Sequence, residues 1–344
     1  MNNFMIMHRN LVTALLVALL CILNSPTVAN AEESIGFNPE KSATAEIPAS
    51  PLDLQPSLVT YQIDSSRGTV NVDASSSDTE IEAVDFAIDY ANSSQEITSG
   101  RYSVHSEQPG VSGVIEISAD GVRVITEIQS ASAPEDFEYS FNVPESTDLI
   151  PVFGGFLIAD QSTIYGKLLS PWAFDATGKS VPTTYTWQDG HLFQHVQLND
   201  PTIVFPVSAD PAWTYTYSYD VSKTAAATKT LLKTCFNCYF PVTGAPRAFP
   251  STNQLLPLWV GVLNFECRFA GESTATNYFG FAFDATKNHV DQAGSYIHFD
   301  FVMVGAYRKL VVSASIVNPF MNNSTYKDGA KNTWAMFASK VSNG

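Results

Sequence analysis

Apolar and polar residues alternate along most of the first two thirds of this chain. "TVNVD" (69–73), "GVIEI" (113–117), "GVRVITEI" (121–128), "FEYSFNV" (137–143), "STIYG" (162–166), "TTYTW" (183–187), "HLFQHVQL" (191–198) and "TIVFPV" (202–207) mostly follow this pattern. A period of two is the mark of strands with one buried face. Turn-forming residues separate the runs at "ADG" (119–121), "DATG" (175–178) and "QDG" (188–190). "VSADPAW" (207–213) closes this series, and the rhythm turns helical in "SKTAAATKTLLKTC" (222–235). Strand-like runs return in "NYFGFAF" (277–283), "SYIHFDFVMV" (295–304) and "KLVVSASIV" (309–317). Near the end, Ala330, Trp334, Phe337 and Val341 recur at helical spacing, with Asp328 in a position to cap. The pattern predicts a mainly β protein. It should hold two antiparallel β-rich domains of meander or sandwich type, a short linker helix and a C-terminal amphipathic helix.

The first 31 residues break the rhythm. Arg9 precedes "LVTALLVALLCIL" (11–23), an apolar run shorter than a membrane span, and Ala29 and Ala31 occupy the small-residue positions of a cleavage site. This predicts a signal peptide over 1–31, a mature start at Glu32 and a secreted or extracellular location, with no transmembrane segment once the signal is removed. Cys21 is a poor lipidation site because Leu20 stands where a small residue is needed. Residues 32–57 are polar, aperiodic and contain prolines, as in a flexible leader. The organisation then reads as an acidic β-rich domain over 58–213, a partly helical linker over 214–234 and a second β-rich domain over 235–344.

Charge sharpens that division. Only 15% of residues are charged, a balance suited to an extracellular β protein rather than a helical one. Residues 32–210 carry 6 basic and 27 acidic side chains, whereas residues 211–344 carry 11 basic and 7 acidic ones. A strongly acidic half excludes nucleic acid as its partner, because binding phosphate requires a positive field. The small excess of positive charge in the second half is an ordinary mixed surface.

"CFNCYF" (235–240) is the most suggestive short motif. Outside the signal, the cysteines are Cys235, Cys238 and Cys267. A zinc site needs a second ligand pair that is absent, and a redox dithiol needs a strand-to-helix setting that the flanks do not supply. Export favours a structural disulfide. If "FNCYF" and "LNFECRF" (263–269) are both strands, Cys238 and Cys267 share the apolar face and Cys235 does not. The expected bridge is therefore Cys238–Cys267, with Cys235–Cys267 as the alternative if a bulge intervenes.

"APEDFEYSFNVPE", "SPWAFDATGKSVPTTYTWQDGHLFQHV" and "IVFPVSADPAW", over about residues 105–213, resemble an N-terminal domain shared by secreted proteins of Gram-positive bacteria, actinobacteria above all. "CFNCYFPVTGAPRAFP" and "HVDQAGSYIHFDF" resemble a C-terminal domain of uncharacterised exported actinobacterial proteins. The resemblance implies export and a domain boundary. It implies no activity, cofactor or catalytic residue.

The candidate chemistry is sparse. His289, Asp291, His298 and Asp300 form two H-x-D units that could bind a metal or act as acid–base pairs. In "YIHFDF", however, Ile297, Phe299 and Phe301 share a face, which assigns His298 and Asp300 to the opposite, solvated one. His191 and His195 share a strand face at ~13 Å, too far apart for one metal. No nucleophile elbow, zincin motif or phosphate loop occurs, so no catalytic, cofactor-binding or metal residue is assigned. The favoured reading is a non-enzymatic binding protein with an extracellular or cell-envelope partner. The alternatives are an exported effector with the acidic half as pro-region, and a hydrolase built on the His289/His298 region.

Overall fold

The computed structural model of the protein describes residues 60–73, 84–321 and 323–344. The expected signal peptide and leader lie outside them. Strands make up 48% of the chain and helices 13%, so the packing of sheets decides the architecture. Among the described residues, no helix is long and apolar enough to cross a membrane.

The alternating runs of the first half form two antiparallel sheets. The first sheet orders six strands as Thr60–Asp64, Thr69–Asp73, Val84–Ile88, Asp136–Phe141, His191–Val196 and Thr183–Gln188. The second runs from Ala91–Thr98 through Arg101–Ser106, Val111–Ile117 and Gly121–Ile128, then by way of Ala212–Thr214 to Ile164–Leu169, Gly155–Ala159 and Asp148–Val152. Their inward residues share one core. Val70, Phe86, Ile88 and Tyr139 come from the first sheet, and Val104, Ile115, Val124 and Leu168 from the second. Inside it the Thr126 hydroxyl bonds Tyr90 at 2.7 Å and Tyr139 at 2.8 Å, so these buried hydroxyls are satisfied across the sandwich.

A third antiparallel sheet orders Tyr217–Asp220, Tyr307–Ser315, Tyr296–Val304, Tyr278–Ala285, Cys267–Ala275 and Leu255–Leu256. The stretch expected as a linker therefore contributes an edge strand, Tyr217–Asp220, and then a helix, α1 (Ala225–Thr234). One face of this sheet is a phenylalanine layer: Phe269, Phe281, Phe299 and Phe301 are at most 1% exposed. α1, a single helical turn α2 (Phe236–Tyr239) and the C-terminal α3 (Ser324–Asn343) supply Leu232, Phe236 and Phe337 to the same core. Each fully buried large apolar side chain contributes ~1.5–3 kcal/mol. α1 is thus a docked helix, held further by Lys233 on Glu272 at 2.6 Å.

Three expectations change on contact with this core. "FNCY" is not a strand but the turn α2, placed so that Phe236 and Phe240 stack against each other at 4.7 Å. Helical winding sets residues three apart side by side, so Cys235 bonds Cys238 and Cys267 remains a buried thiol. The expected Cys238–Cys267 bridge is not formed, because strand parity does not apply to a helical turn. The cap of α3 is Asn323, whose side chain accepts the Tyr326 N–H at 3.0 Å; Asp328 lies inside the helix. Third, His298 and Asp300 are 2% and 0% exposed rather than solvated. The second face of the third sheet is covered by the first half of the chain. Leu157 and Ala159 pack there against Tyr278, Val302, Val304 and Val311. The third sheet is a central layer, buried on both sides.

Candidate functional site

Two places concentrate chemistry, and both depend on the third sheet. The first is the junction between the halves. Lys167, on the strand Ile164–Leu169, points out of the second sheet and is wholly buried. Its Nζ donates to the Phe153 carbonyl at 2.7 Å and to Asp300 Oδ2 at 3.2 Å, and meets His298 Nδ1 at 2.9 Å. Asp300 Oδ1 accepts the Tyr278 hydroxyl at 2.8 Å and the Phe153 N–H at 3.3 Å. The pairing register Gly280↔Asp300 explains the room for this knot, since any Cβ at Gly280 would overlap the Tyr278 hydroxyl and press on Asp300. Gly154, at φ +70°, plays the same part for His298: a Cβ there would sit 2.8 Å from the ring. Burial, opposed by the Asp300 carboxylate, holds the Lys167 ammonium below the ordinary lysine range. Burial and the adjacent Lys167 hold His298 well below the ordinary histidine range, so the ring is neutral.

The second place is one end of the third sheet. The pairings Cys267↔Ala285, Asp284↔Tyr296 and Tyr296↔Ser315 bring the segments 257–266, 286–295 and 316–321 out at the same end. Backbone bonds lace them together, from Val290 N–H to Asn264 O at 2.9 Å and from Asn318 N–H to Asp291 O at 3.0 Å. His289 works inside this lacing. Its Nδ1 accepts the Asp291 N–H at 2.9 Å, and its ring meets Phe265 edge to face at 5.0 Å. Burial lowers His289 to about 4 and raises Asp291 to about 6. His289 and His298 therefore belong to different environments and do not form one site.

What this end presents outward is apolar. Trp259–Val260 and Leu263–Asn264 form a separate two-stranded ribbon turning at Gly261. Leu255, Trp259, Val260 and Val262 are 42–57% exposed, and Phe320, on the neighbouring loop, is 81% exposed. No charged residue occurs between Arg247 and Glu266. The sequence carried this signal in "LLPLWVGVL", an apolar run with no alternation to bury it.

His191 and His195 each find a carboxylate on the neighbouring strand. Glu138 lies 2.7 Å from His191 Nδ1 and Asp136 lies 2.8 Å from His195 Nδ1. Asp89, Glu138 and His191 converge closely enough to ligate an ion, but His191 Nδ1 is already engaged by Glu138 and by Ser140 at 3.1 Å. A cleft of about 510 Å³ opens between the halves, lined by Thr163, Tyr219, Asp220, Lys309 and Ser339 among others. Neither His289 nor His298 lines it. The chain matches no protein-family model and no curated protein sequence.

Proposed function

We propose that this is an exported, non-enzymatic binding protein that engages an apolar surface of a cell-envelope partner through the loop end of its third sheet. The observation that carries this reading is the ribbon, where Trp259, Val260 and Val262 stand exposed at the same end of the sheet as the exposed Phe320. Contiguous exposed apolar patches on a folded chain mark interaction surfaces, and tryptophan is enriched among the residues that dominate binding. The uncharged stretch on either side removes the desolvation cost that flanking charges would add on docking. The resemblance of both halves to exported Gram-positive proteins accords with an envelope partner. A hydrolase reading has less behind it, since His298 is sealed in the junction and His289 holds its own loop.

The test is binding of the full chain to isolated cell-envelope material, compared with a Trp259→Ser/Val262→Ser double variant. We expect the variant to keep its circular-dichroism spectrum and lose most of the bound fraction. Equal binding by the two proteins would remove the ribbon from the reading.

A further inference from the structure

We propose that Lys167 and Asp300 condense into an intramolecular amide, an isopeptide bond that joins the two halves of the molecule covalently. Nζ and Oδ2 stand 3.2 Å apart with both side chains fully buried. The other carboxylate oxygen, Oδ1, receives the Tyr278 hydroxyl at 2.8 Å and, at 3.3 Å, the Phe153 N–H, which it shares with the Tyr278 oxygen. That is the arrangement acyl transfer requires, because negative charge collects on this oxygen when an amine adds to Cγ. His298 Nδ1, 2.9 Å from Nζ, is placed to take a proton from the nitrogen once it has added to Cγ and become acidic. Amine and carboxyl are mounted on paired strands of two packed sheets, so their encounter carries little of the entropic cost of a bimolecular reaction.

The step balances without a co-reactant. Lys167 begins as ammonium and Asp300 as carboxylate. The ammonium first passes one proton to Oδ2 along their hydrogen bond. The neutral amine adds to Cγ of the neutral carboxyl, forming the N–C bond and placing negative charge on Oδ1 and positive charge on nitrogen. His298 takes one proton from that nitrogen. The Cγ–Oδ2 bond then breaks. Oδ2 departs as water with two protons from the original ammonium, one passed directly before the addition and one delivered through His298. Nζ keeps a single hydrogen as the amide N–H, and His298 ends neutral. The environment favours the product, since a buried ion pair carries the desolvation of two charges and the amide carries neither. Burial already lowers the Lys167 ammonium, which brings the nucleophilic amine closer.

A second bridge between the halves provides the internal control. Lys327 Nζ lies 3.0 Å from Asp120 Oδ1, but its further bond is to the Ala119 carbonyl at 2.9 Å rather than to a ring nitrogen. It is expected to remain an ion pair.

The test is tryptic mapping of the full-length protein after reduction and denaturation. An acylated Lys167 resists trypsin, so the expected product is the segment 124–179 joined to 288–308, lighter than their sum by one water. Cleavage after Lys327 should be complete in the same digest. Lys167→Arg keeps the positive charge and should abolish the joined species. Tyr278→Phe removes one of the two donors to Oδ1 and should lower the joined fraction at early times after synthesis. Separate 124–167, 168–179 and 288–308 peptides from the unaltered chain would overturn the proposal. So would a joined species that persists in Lys167→Arg.

Discussion

Lys167–Asp300 and Lys327–Asp120 cross the same boundary in opposite senses. In the first, the cation comes from the N-terminal half; in the second, it comes from the C-terminal half. The first lies between two sheets with both side chains at 0% exposure, whereas the second, at 5% and 8%, joins the turn at Asp120 to the start of α3. Their surroundings differ too. Asp300 and Lys167 are enclosed by a ring nitrogen, a phenol and backbone groups. Asp120 also accepts the Ile316 N–H at 2.8 Å, and Lys327 lies over the Tyr215 ring at 5.3 Å. Both pairs keep other hydrogen bonds when a counter-ion is removed, so the remaining difference is access to water. A charge left between two packed sheets is sealed from solvent, whereas one at the partly exposed turn can be rehydrated. A bridge at a boundary is therefore the stronger fastener where water cannot replace the lost partner.

Removing one cation at a time should break this comparison most forcefully. Lys167→Ala removes the proposed amide and leaves Asp300 buried with neither bond nor cation, and should cost at least ~3–5 kcal/mol in urea denaturation. Lys327→Ala leaves Asp120 with the Ile316 N–H and should cost ~1–3 kcal/mol. Equal losses would mean that the surroundings do not matter.

Asp210 extends the comparison to a buried carboxylate held by a backbone N–H and a phenol. It is 0% exposed and holds the Trp172 N–H at 3.0 Å. Burial raises its carboxyl to about 8. A raised acid keeps its proton in the folded state after the unfolded chain has released it, so its contribution falls as pH climbs from about 4 to about 8. The slope should approach ~1.4 kcal/mol per pH unit inside that window. Asp210→Asn mimics the neutral acid and should flatten that part of the stability profile. A variant with the parent's slope would show that the proton is not held there.

The two sides of the junction were not equally legible in the sequence. The first half announces its strands because one face of each meets solvent: "GVRVITEI" and "TTYTW" alternate and are strands as expected. The third sheet is covered on both faces, and its text shows it, since "YFGFAF" is buried without a break. Near-continuous apolar runs are how doubly covered strands read. His298 and Asp300 looked like solvent-facing punctuation because their partner, Lys167, lies more than a hundred residues away in another sheet. Nothing in "IYGKLL" marks that lysine as buried. "FNCY" misled for a related reason: its aromatics suit a strand, but packing Phe236 and Phe240 against the phenylalanine layer requires a helical turn.

The Cys235–Cys238 bridge separates local from long-range fastening. It closes a ring only a few residues long, so the chain-entropy model gives it ~2 kcal/mol at most. A double Cys→Ser variant should lose about that much in urea denaturation and leave any joined 124–179/288–308 species intact. A loss as large as that of Lys167→Ala would place the motif among the principal fasteners. The Cys267 thiol, raised by burial, should resist alkylation until the chain unfolds.

The smallest effect on stability is expected at the ribbon, and its smallness is the point of measuring it. Trp259 and Val262 are 42% and 57% exposed, so about half of each side chain is hydrated before any substitution. The ribbon's backbone is held from both sides, by the Trp259 N–H on Thr243 O at 2.9 Å and by the Phe265 N–H on Leu258 O at 2.8 Å. Serine preserves those bonds. Surface substitutions that leave such features untouched fall within ~0.5 kcal/mol. Trp259→Ser/Val262→Ser should therefore unfold at nearly the parent urea midpoint while losing its hold on envelope material. A stability loss comparable to that of Lys327→Ala would mean that the ribbon is part of the core, and that its exposed residues serve the fold rather than a partner.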